Sequence, residues 1–367
     1  MSRLDRASEV ADLAATLGLG GGADPVDAIL RHCRTRIDRW VREAGGVRDI
    51  RQLEALVTGK LQMVFEEVRA DEDFDRIKAK YATGKKDYVF AAMRVKFGED
   101  DNPTYGALVR RKNAGPDAPD RYVAVIDCRG RKLARRFFTR WHEVGHRLTT
   151  HADGGATEPG YRSEHDPIER LMDEIAGHVG FYGPLFDPVF QAAHRGKERL
   201  LSETVEAVVW QGFPDASFQA TLNACTRRLP TPVIYLEAGL GHKAVVTREI
   251  EDDSPRLFAF EEPPPELRAV RLVANEAAQG EKFVIPQNMR VPGSSVIRSL
   301  FEADGERDAT SQEDLAMWSD SKGKRLAGRA VAVEARKVAD RVLAIVQPVE
   351  PVRQKPQRPK LKTLFED

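Results

Sequence analysis

The stretch FFTRWHEVGHRL, residues 137–148, places His142 and His146 four positions apart, with Glu143 directly after the first histidine. On an α-helix, side chains at positions i and i+4 lie one above the other, so both imidazoles can point at the same place. Two neutral imidazoles can hold a zinc ion, while the neighbouring carboxylate accepts a proton from the attacking water without occupying the metal. The pattern therefore predicts a zinc site on a helix.

The same stretch also has the spacing of an ordinary amphipathic helix. Phe138, Trp141, Gly145 and Leu148 fall on one stripe that can pack inward. The simpler interpretation is thus a solvated pair of histidines on the outer face of a surface helix. Because the chain has only 8 histidines, a chance HExxH is rare, and we favour the metal site.

A hydrolytic zinc site usually has three protein ligands, so a third must come from elsewhere in the chain. In DPIERLMDEIAGHVGFYG, Glu169 and Asp173 are four apart on a helix that the Asp-Pro pair is expected to start. In the gluzincin arrangement, the first acid of such a pair binds the metal and the second accepts a hydrogen bond from a ligand imidazole. We expect Glu169 to be the ligand and Asp173 to support a histidine. Glu174 and Asp173 are the alternative ligands on this helix, and His151 is a weaker one because the Gly-x-x-His context of the metzincins is absent.

The composition is that of a globular protein of two or three domains. The chain has 367 residues, of which 41% are hydrophobic and 31% charged. Lysine plus arginine equals aspartate plus glutamate at 57 each, so no overall field attracts nucleic acid or a membrane surface.

The first twenty residues lack the apolar core of a secretory signal, and no stretch is long enough to span a membrane. We expect a cytoplasmic protein whose three scattered cysteines, Cys33, Cys128 and Cys225, are reduced thiols.

The pattern of predicted helices and strands changes twice along the chain. Residues 1–85 are expected to form a helical region, because DPVDAILRHCRTRIDRWVREAG starts with a capping aspartate and proline, and DIRQLEALVTGKLQMVFEEV has apolar residues at helical spacing. Over residues 86–230, short strands in DYVFAAMRVKF, YGALVRR and RYVAVIDC precede the HExxH helix and a second helix from about Pro167. This order predicts an α+β fold with a zincin-like metallopeptidase core.

Residues 231–349 are expected to form a second, α/β domain. PVIYLEAGLGHKAVVTREI, RLFAFEE and EKFVIPQNMRV predict strands, and LFEADGERDATSQEDLAMW predicts a loop and a helix. The run GRAVAVEARKVADRVLAIVQP fits either a helix or strands. Residues 350–367 combine prolines with five lysines and arginines, a composition typical of an extended, solvated tail.

Two motifs resemble those of the ImmA/IrrE family of metallopeptidases. RRFFTRWHEVGHRLTTH is similar to the run that leads into HExxH in that family, and IERLMDEIA is similar to its Ile-Glu-x-x-x-Asp helix. FPDASFQATLNACTRRL, residues 213–229, also resembles the segment that follows the peptidase core. The chain departs from the family at Met172-Asp173 and Ile175-Ala176, where the family often has Ala-Asn or Ala-Asp and a following Phe-Ala, but the two acids are present.

The resemblance implies a zinc-dependent endopeptidase that cleaves a small helix-turn-helix transcriptional repressor after DNA damage or phage stress. Some members of the family carry a GAF-like sensor domain at the carboxyl end, which implies the same for residues 231–349. A single-stranded nucleic acid or a nucleotide is then the expected class of activator. From the residues themselves, Glu143 is the expected general base, and Tyr161, His165 and His178 are candidate donors to the oxyanion.

Two other functions remain open. One is a zinc-containing sensor of a ligand or nucleic acid that does not cleave protein, and the other is a DNA-associated regulator that acts through its basic tail. An intact Glu143 argues against the first and the balanced charge against the second. Cys128, at the end of RYVAVIDC, could serve as an inhibitory zinc ligand that displaces the water, although a small buried hydrophobe is the alternative role.

Overall fold

The computed structural model describes residues 8–20, 24–82, 87–98, 104–112, 114–150, 166–251, 262–320 and 322–349. The chain divides into two compact units, one of residues 1–196 with 203–224, the other of residues 197–202 with 225–367. Both helices and sheets are present, so the predicted α+β class is confirmed. Among the described residues, no helix is both long and apolar enough to cross a membrane.

The first unit begins with three helices: α1 (Ser8–Thr16), α2 (Pro25–Glu43) and α3 (Ile50–Leu61). The side chain of Asp24 accepts a hydrogen bond from the Asp27 amide at 2.9 Å and so caps α2, as the sequence predicted. The expectation that the helical region continues through MVFEEV is wrong. α3 ends at Gln62, which has a left-handed φ of 54°, and Met63–Val68 form strand β1.

A helical connection follows β1. It consists of α4 (Glu72–Tyr81), a 3-10 turn (Tyr88–Ala92) and α5 (Met93–Phe97). A strand was expected in DYVFAAMRVKF, and that expectation is wrong. The buried side chains of Phe90, Met93 and Phe97 recur every three or four residues, which is the helical period, and they pack against one face of the sheet.

The sheet of the first unit has three strands in the order β1-β3-β2, where β2 is Gly106–Arg110 and β3 is Tyr122–Asp127. β2 and β3 were both predicted as strands. β1 runs parallel to the central β3, with Met63 opposite Tyr122, and β2 runs antiparallel to it, with Gly106 opposite Ile126. The first 85 residues therefore contribute a strand to this sheet, and no division of the chain occurs at the expected boundary between residues 85 and 86.

The two helices expected to carry the metal site are both present. After a 3-10 turn (Gly130–Arg135), α6 spans Arg136–Leu148, and α7 spans Pro167–Gly180, capped by the Asp166 side chain at 2.7 Å from the Ile168 amide. The chain continues with α8 (Gly183–His194), α9 (Ser202–Gly212) and α10 (Phe218–Arg228). The first residue of α9 and the last four residues of α10 are assigned to the second unit.

Two glycines allow α6 and α7 to lie close together. A Cβ at Gly145 of α6 would be 3.3 Å from Ile175 and Met172, and a Cβ at Gly180 of α7 would be 2.9 Å from the ring of Trp141. The distance at Gly145 is tighter than most packing contacts, and the distance at Gly180 is too short for a real Cβ, so a larger residue at either position would require neighbouring groups to shift. The short separation brings the first turn of α7 to the histidines of α6.

The second unit contains a five-stranded sheet in the order β5-β4-β8-β7-β6, with every neighbouring pair antiparallel. Its elements, in chain order, are β4 (Ile234–Gly241), α11 (Ala244–Glu251), β5 (Glu266–Ala274), α12 (Glu276–Gly280), α13 (Val296–Glu302), β6 (Asp308–Asp314), a 3-10 turn (Leu315–Met317), β7 (Ala330–Val338) and β8 (Arg341–Pro348). Its core includes Leu236, Ile285, Trp318 and Val333. The expected boundary at residue 231 lies close to the division at residue 225.

Several predictions for the second unit are corrected. Only the first half of PVIYLEAGLGHKAVVTREI is a strand, EKFVIPQNMRV forms no named strand, and the helix expected in ATSQEDLAMW is strand β6 and a 3-10 turn. GRAVAVEARKVADRVLAIVQP is a hairpin of β7 and β8, turning at Ala339 with a φ of 54°. Most of RLFAFEE lies outside the described residues.

Candidate metal centre

His142, His146 and Glu169 bring one ligand atom each to a common point, and these atoms lie within 4.8 Å of one another. The Nε2 atoms of the two histidines are 3.3 Å apart. Oε2 of Glu169 lies 3.1 Å from Nε2 of His142 and 3.6 Å from Nε2 of His146. The three residues predicted as metal ligands are therefore together, and Glu174 is not part of the group.

The spacing of these atoms fits a tetrahedral ion. Zinc binds histidine nitrogen and carboxylate oxygen at about 2.0–2.2 Å, and tetrahedral geometry then separates neighbouring ligand atoms by about 3.3 Å. The observed separations of 3.1, 3.3 and 3.6 Å bracket that value. Two imidazoles and one carboxylate are also the donor set of hydrolytic zinc sites, which leave a fourth position open.

Asp173 supports His142 from the side away from the metal position. Its Oδ1 lies 2.9 Å from Nδ1 of His142. This contact selects the tautomer that leaves Nε2 free to bind a metal. Burial alone would lower the pKa of His142, but hydrogen bonds with Asp173 and Glu169 raise it to about 10. The carboxylates thus favour a cation at this place, and a metal ion would displace a proton from the imidazole.

Glu169 remains ionised. Burial alone would raise its pKa, but hydrogen bonds with His142 and His146 hold the pKa far below its usual range. It lies in the first turn of α7, where the amide groups of the helix also favour a negative charge. A charged carboxylate is the form that binds a metal ion.

Glu143 is buried, with 5% of its surface exposed, on the face of α6 that packs against β2. A Cβ at Gly106 would overlap its carboxylate oxygen, so only glycine at this position leaves room for it. Burial raises the pKa of Glu143, against the opposing charges of His146 and His142. A carboxylate with a raised pKa beside a metal position is suited to accept and return a proton near neutral pH.

Ion pairs hold α6 on the side opposite His142. Arg140 pairs with Glu54 of α3, and Arg136, one turn earlier, pairs with Asp215. The guanidinium of Arg140 also lies over the ring of Phe65, 4.4 Å from its centroid. These contacts tie α6 to α3 and β1, and thereby fix the direction of the histidine side chains.

Neither Lys96 nor Gly106 was predicted from the sequence to belong to the site. Lys96 lies on α5 and is half-buried; burial lowers its pKa, while the charges of Glu143 and Glu169 act in the opposite direction. A lysine ammonium is therefore within electrostatic reach of both site carboxylates. Neither residue belongs to a local motif, because each reaches the site from an element distant in the chain.

Cys128 is not among the side chains that converge. It is 4% exposed, and its amide donates a hydrogen bond to the carbonyl of Val68 at 2.7 Å. Burial raises the pKa of its thiol to about 12, and the charges that act on it are chiefly those of Glu67 and Arg136. Cys128 is thus a buried side chain outside the group formed by His142, His146 and Glu169 among the described residues.

Of the candidate oxyanion donors, only His178 lies in the described part of the chain, on an exposed position of α7. Tyr161, His165 and the alternative ligand His151 lie outside it. Cys33 and Cys225 are buried free thiols, as expected.

Comparison with known proteins adds no relative: no protein-family model matches the chain, and no curated protein matches its sequence significantly.

Proposed function

We propose that this protein is a zinc-dependent endopeptidase. The observation that carries the proposal is the convergence of His142, His146 and Glu169 at tetrahedral spacing, with the buried Glu143 beside them. A site that only stabilised the fold would have no use for a buried carboxylate that is not a ligand, since burying an ionisable group without need is costly. In a hydrolase the buried carboxylate has such a role, because it accepts a proton from the attacking water.

Each side chain has a distinct role in this proposal. His142, His146 and Glu169 would hold a zinc ion, which when bound would polarise the peptide carbonyl and make water more acidic. Glu143 accepts a proton from the attacking water and returns it to the departing amine. Asp173 keeps His142 in the tautomer required of a ligand. Lys96 contributes a positive charge that stabilises the negative oxygen of the tetrahedral species.

The resemblance of RRFFTRWHEVGHRLTTH and IERLMDEIA to the ImmA/IrrE metallopeptidases supports a protein substrate, and we propose a small helix-turn-helix repressor. The second compact unit, residues 197–202 with 225–367, has its own sheet and core. We propose that this unit is a GAF-like sensor that regulates cleavage, with a single-stranded nucleic acid or a nucleotide as its activator. Regulation requires that the activator bind one state of the protein better than the other.

The experiment is cleavage of a proteome-derived peptide library by the zinc-loaded full chain, with new amino termini identified by mass spectrometry. Small helix-turn-helix proteins are then tested as folded substrates, with and without oligonucleotides or nucleotides. Cleavage that disappears with a chelator and returns with zinc supports the proposal. Stoichiometric zinc with no cleavage of any substrate would favour a sensor without proteolytic activity.

A further inference from the structure

We propose that the first unit contains an anion site centred on Arg147, which binds a phosphate group. Arg147 is on the last turn of α6 and is 8% exposed. Its Nε and Nη1 atoms are buried and have no hydrogen-bond partner within the part of the chain that the structure describes. Buried guanidinium groups in folded proteins are almost always paired, because an unpaired buried charge is strongly unfavourable. An anion that accepted hydrogen bonds from these atoms would remove this cost.

Three more arginines surround this group. Arg36 of α2, Arg110 at the end of β2 and Arg121 before β3 are half-buried. Arg36 donates a hydrogen bond to the carbonyl of Leu148, the residue after Arg147, and Arg121 lies over the ring of Tyr122, as Arg147 does. Arg110 lies opposite Tyr122 in the sheet register, so both are on the face that packs against α6. The site therefore draws on two helices and two strands that the fold brings together.

No described carboxylate neutralises this cluster. Within the described ranges, none of the four arginines forms an ion pair with an acid. Asp120, the acid nearest to Arg121 in the chain, is paired with Arg111. Arg36 donates a hydrogen bond to the carbonyl of Leu148 at 2.6 Å, and Arg121 to that of Pro116 at 3.4 Å. Among the residues that the structure describes, these four positive charges have no acidic partner, and an external anion would supply one.

Tyr122 completes the site. The guanidinium of Arg147 lies over its ring, 3.9 Å from the centroid, and that of Arg121 is 5.9 Å from the same centroid. The tyrosine hydroxyl is also buried, and no described residue forms a hydrogen bond with it. Stacking on the ring orients the guanidinium but satisfies none of its N–H groups. Those N–H groups and the hydroxyl are donors that an oxyanion can accept.

The chemistry favours phosphate over a carboxylate. A phosphate group offers three oxygen atoms and up to two negative charges, which matches several guanidinium groups better than a single carboxylate does. The carbonyls at the end of α6 oppose an anion with about half an elementary charge. Four guanidinium groups outweigh that effect. The phosphate can be inorganic or can belong to a nucleotide, and the geometry of the arginines is the same for both.

The test is titration of the full-length protein with inorganic phosphate, AMP and adenosine, followed by calorimetry and thermal unfolding. We expect phosphate to bind and to raise the unfolding temperature, with equal affinity before and after metal removal by a chelator. AMP binding more tightly than phosphate, while adenosine does not bind, would identify a nucleotide site. Equal affinity for phosphate and AMP would identify the phosphate group alone as the ligand.

Two variants test the residues. Arg147→Met should weaken phosphate binding by about tenfold or more, since each charged hydrogen bond contributes at least that factor. The double variant Arg110→Ala with Arg121→Ala, at two half-buried positions, should do the same. Arg42→Ala, at an exposed position of α2, is the control and should bind as the wild type does. Three results would overturn the proposal. They are no binding of phosphate by the wild-type protein below about 10 mM, equal binding by all variants, and binding of acetate as tight as that of phosphate.

Discussion

Gly106 and Glu143 fit together so closely that a single methyl group at position 106 would overlap the glutamate carboxylate. Gly106 starts β2, and Glu143 lies on the facing side of α6. The same methyl group would also lie 2.9 Å from Cγ2 of Thr139. The edge of the sheet therefore sets the position of the proposed general base.

Gly106→Ala should reduce cleavage by about 100-fold, because displacing a catalytic group by about 1 Å has effects of that size. The three metal ligands do not touch Gly106, so zinc content should stay stoichiometric. Zinc analysis and cleavage rates on one preparation check this. Gly177→Ala is the matched control, since a Cβ there meets nothing within 4 Å. Normal cleavage by Gly106→Ala would show that the carboxylate need not occupy its observed place.

The two acids of α7 should differ in their effect on zinc binding. Glu169→Ala removes a ligand and should lose most of the metal. Asp173→Ala removes only the hydrogen bond to His142 and should weaken zinc binding by about 10- to 100-fold. Competition with a chromogenic chelator measures both affinities. If Glu169→Ala kept stoichiometric zinc while Glu174→Ala lost it, the assignment of the third ligand would be wrong.

Gly180→Ala should destabilise the first unit, because the added methyl group would press on the ring of Trp141 at 2.9 Å. Overpacking of this kind lowers the free energy of unfolding by about 1–3 kcal/mol. The higher helix propensity of alanine offsets at most about 1 kcal/mol of that loss. Gly177→Ala, on the same helix, gains the propensity without the overlap and should be slightly stabilised. Urea unfolding of both variants measures the difference. Equal stability of the two variants would mean that α7 can move away from α6 at little cost.

The buried carboxylate of Asp127 should make stability depend on pH. Burial alone would raise its pKa, but hydrogen bonds from Arg129 and Lys132 lower it. Because the folded pKa lies below the unfolded one, this stabilisation is complete above the unfolded value of about 3.9 and is lost as the pH falls through the folded value. Asp127→Asn should therefore be less stable at neutral pH and lose less stability on acidification. Parallel stability curves for the two proteins between neutral and strongly acidic pH would contradict this.

The metal ligands could be predicted because local rules place them. Helical periodicity sets His142 and His146 on one face, and the capped start at Asp166 sets the register of Glu169 and Asp173. Lys96 and Gly106 could not be predicted in this way. Gly106 of β2 lies against Glu143, and the charges of Glu143 and Glu169 act on Lys96 of α5. Both relationships depend on tertiary packing, which no spacing in the sequence records.

The errors in secondary structure have the same origin. DATSQED has little strand propensity, yet Asp308–Asp314 forms β6 because it pairs along its whole length with β7. MVFEEV continues the apolar spacing of α3 but pairs with β3 instead. Pairing between distant segments overrides local preference in both cases, and a single sequence carries no direct sign of it.

The measurement that tests the account most directly is zinc content and proteolysis of Glu143→Gln on the same preparation. Glutamine keeps the shape of the side chain and removes the proton acceptor, while the three ligands are untouched. We predict stoichiometric zinc, an unchanged thermal unfolding profile and no detectable cleavage of substrates that the wild-type protein cuts. Cleavage by Glu143→Gln at the wild-type rate, with zinc bound, would contradict the assignment of Glu143 as the general base and with it the proposed mechanism.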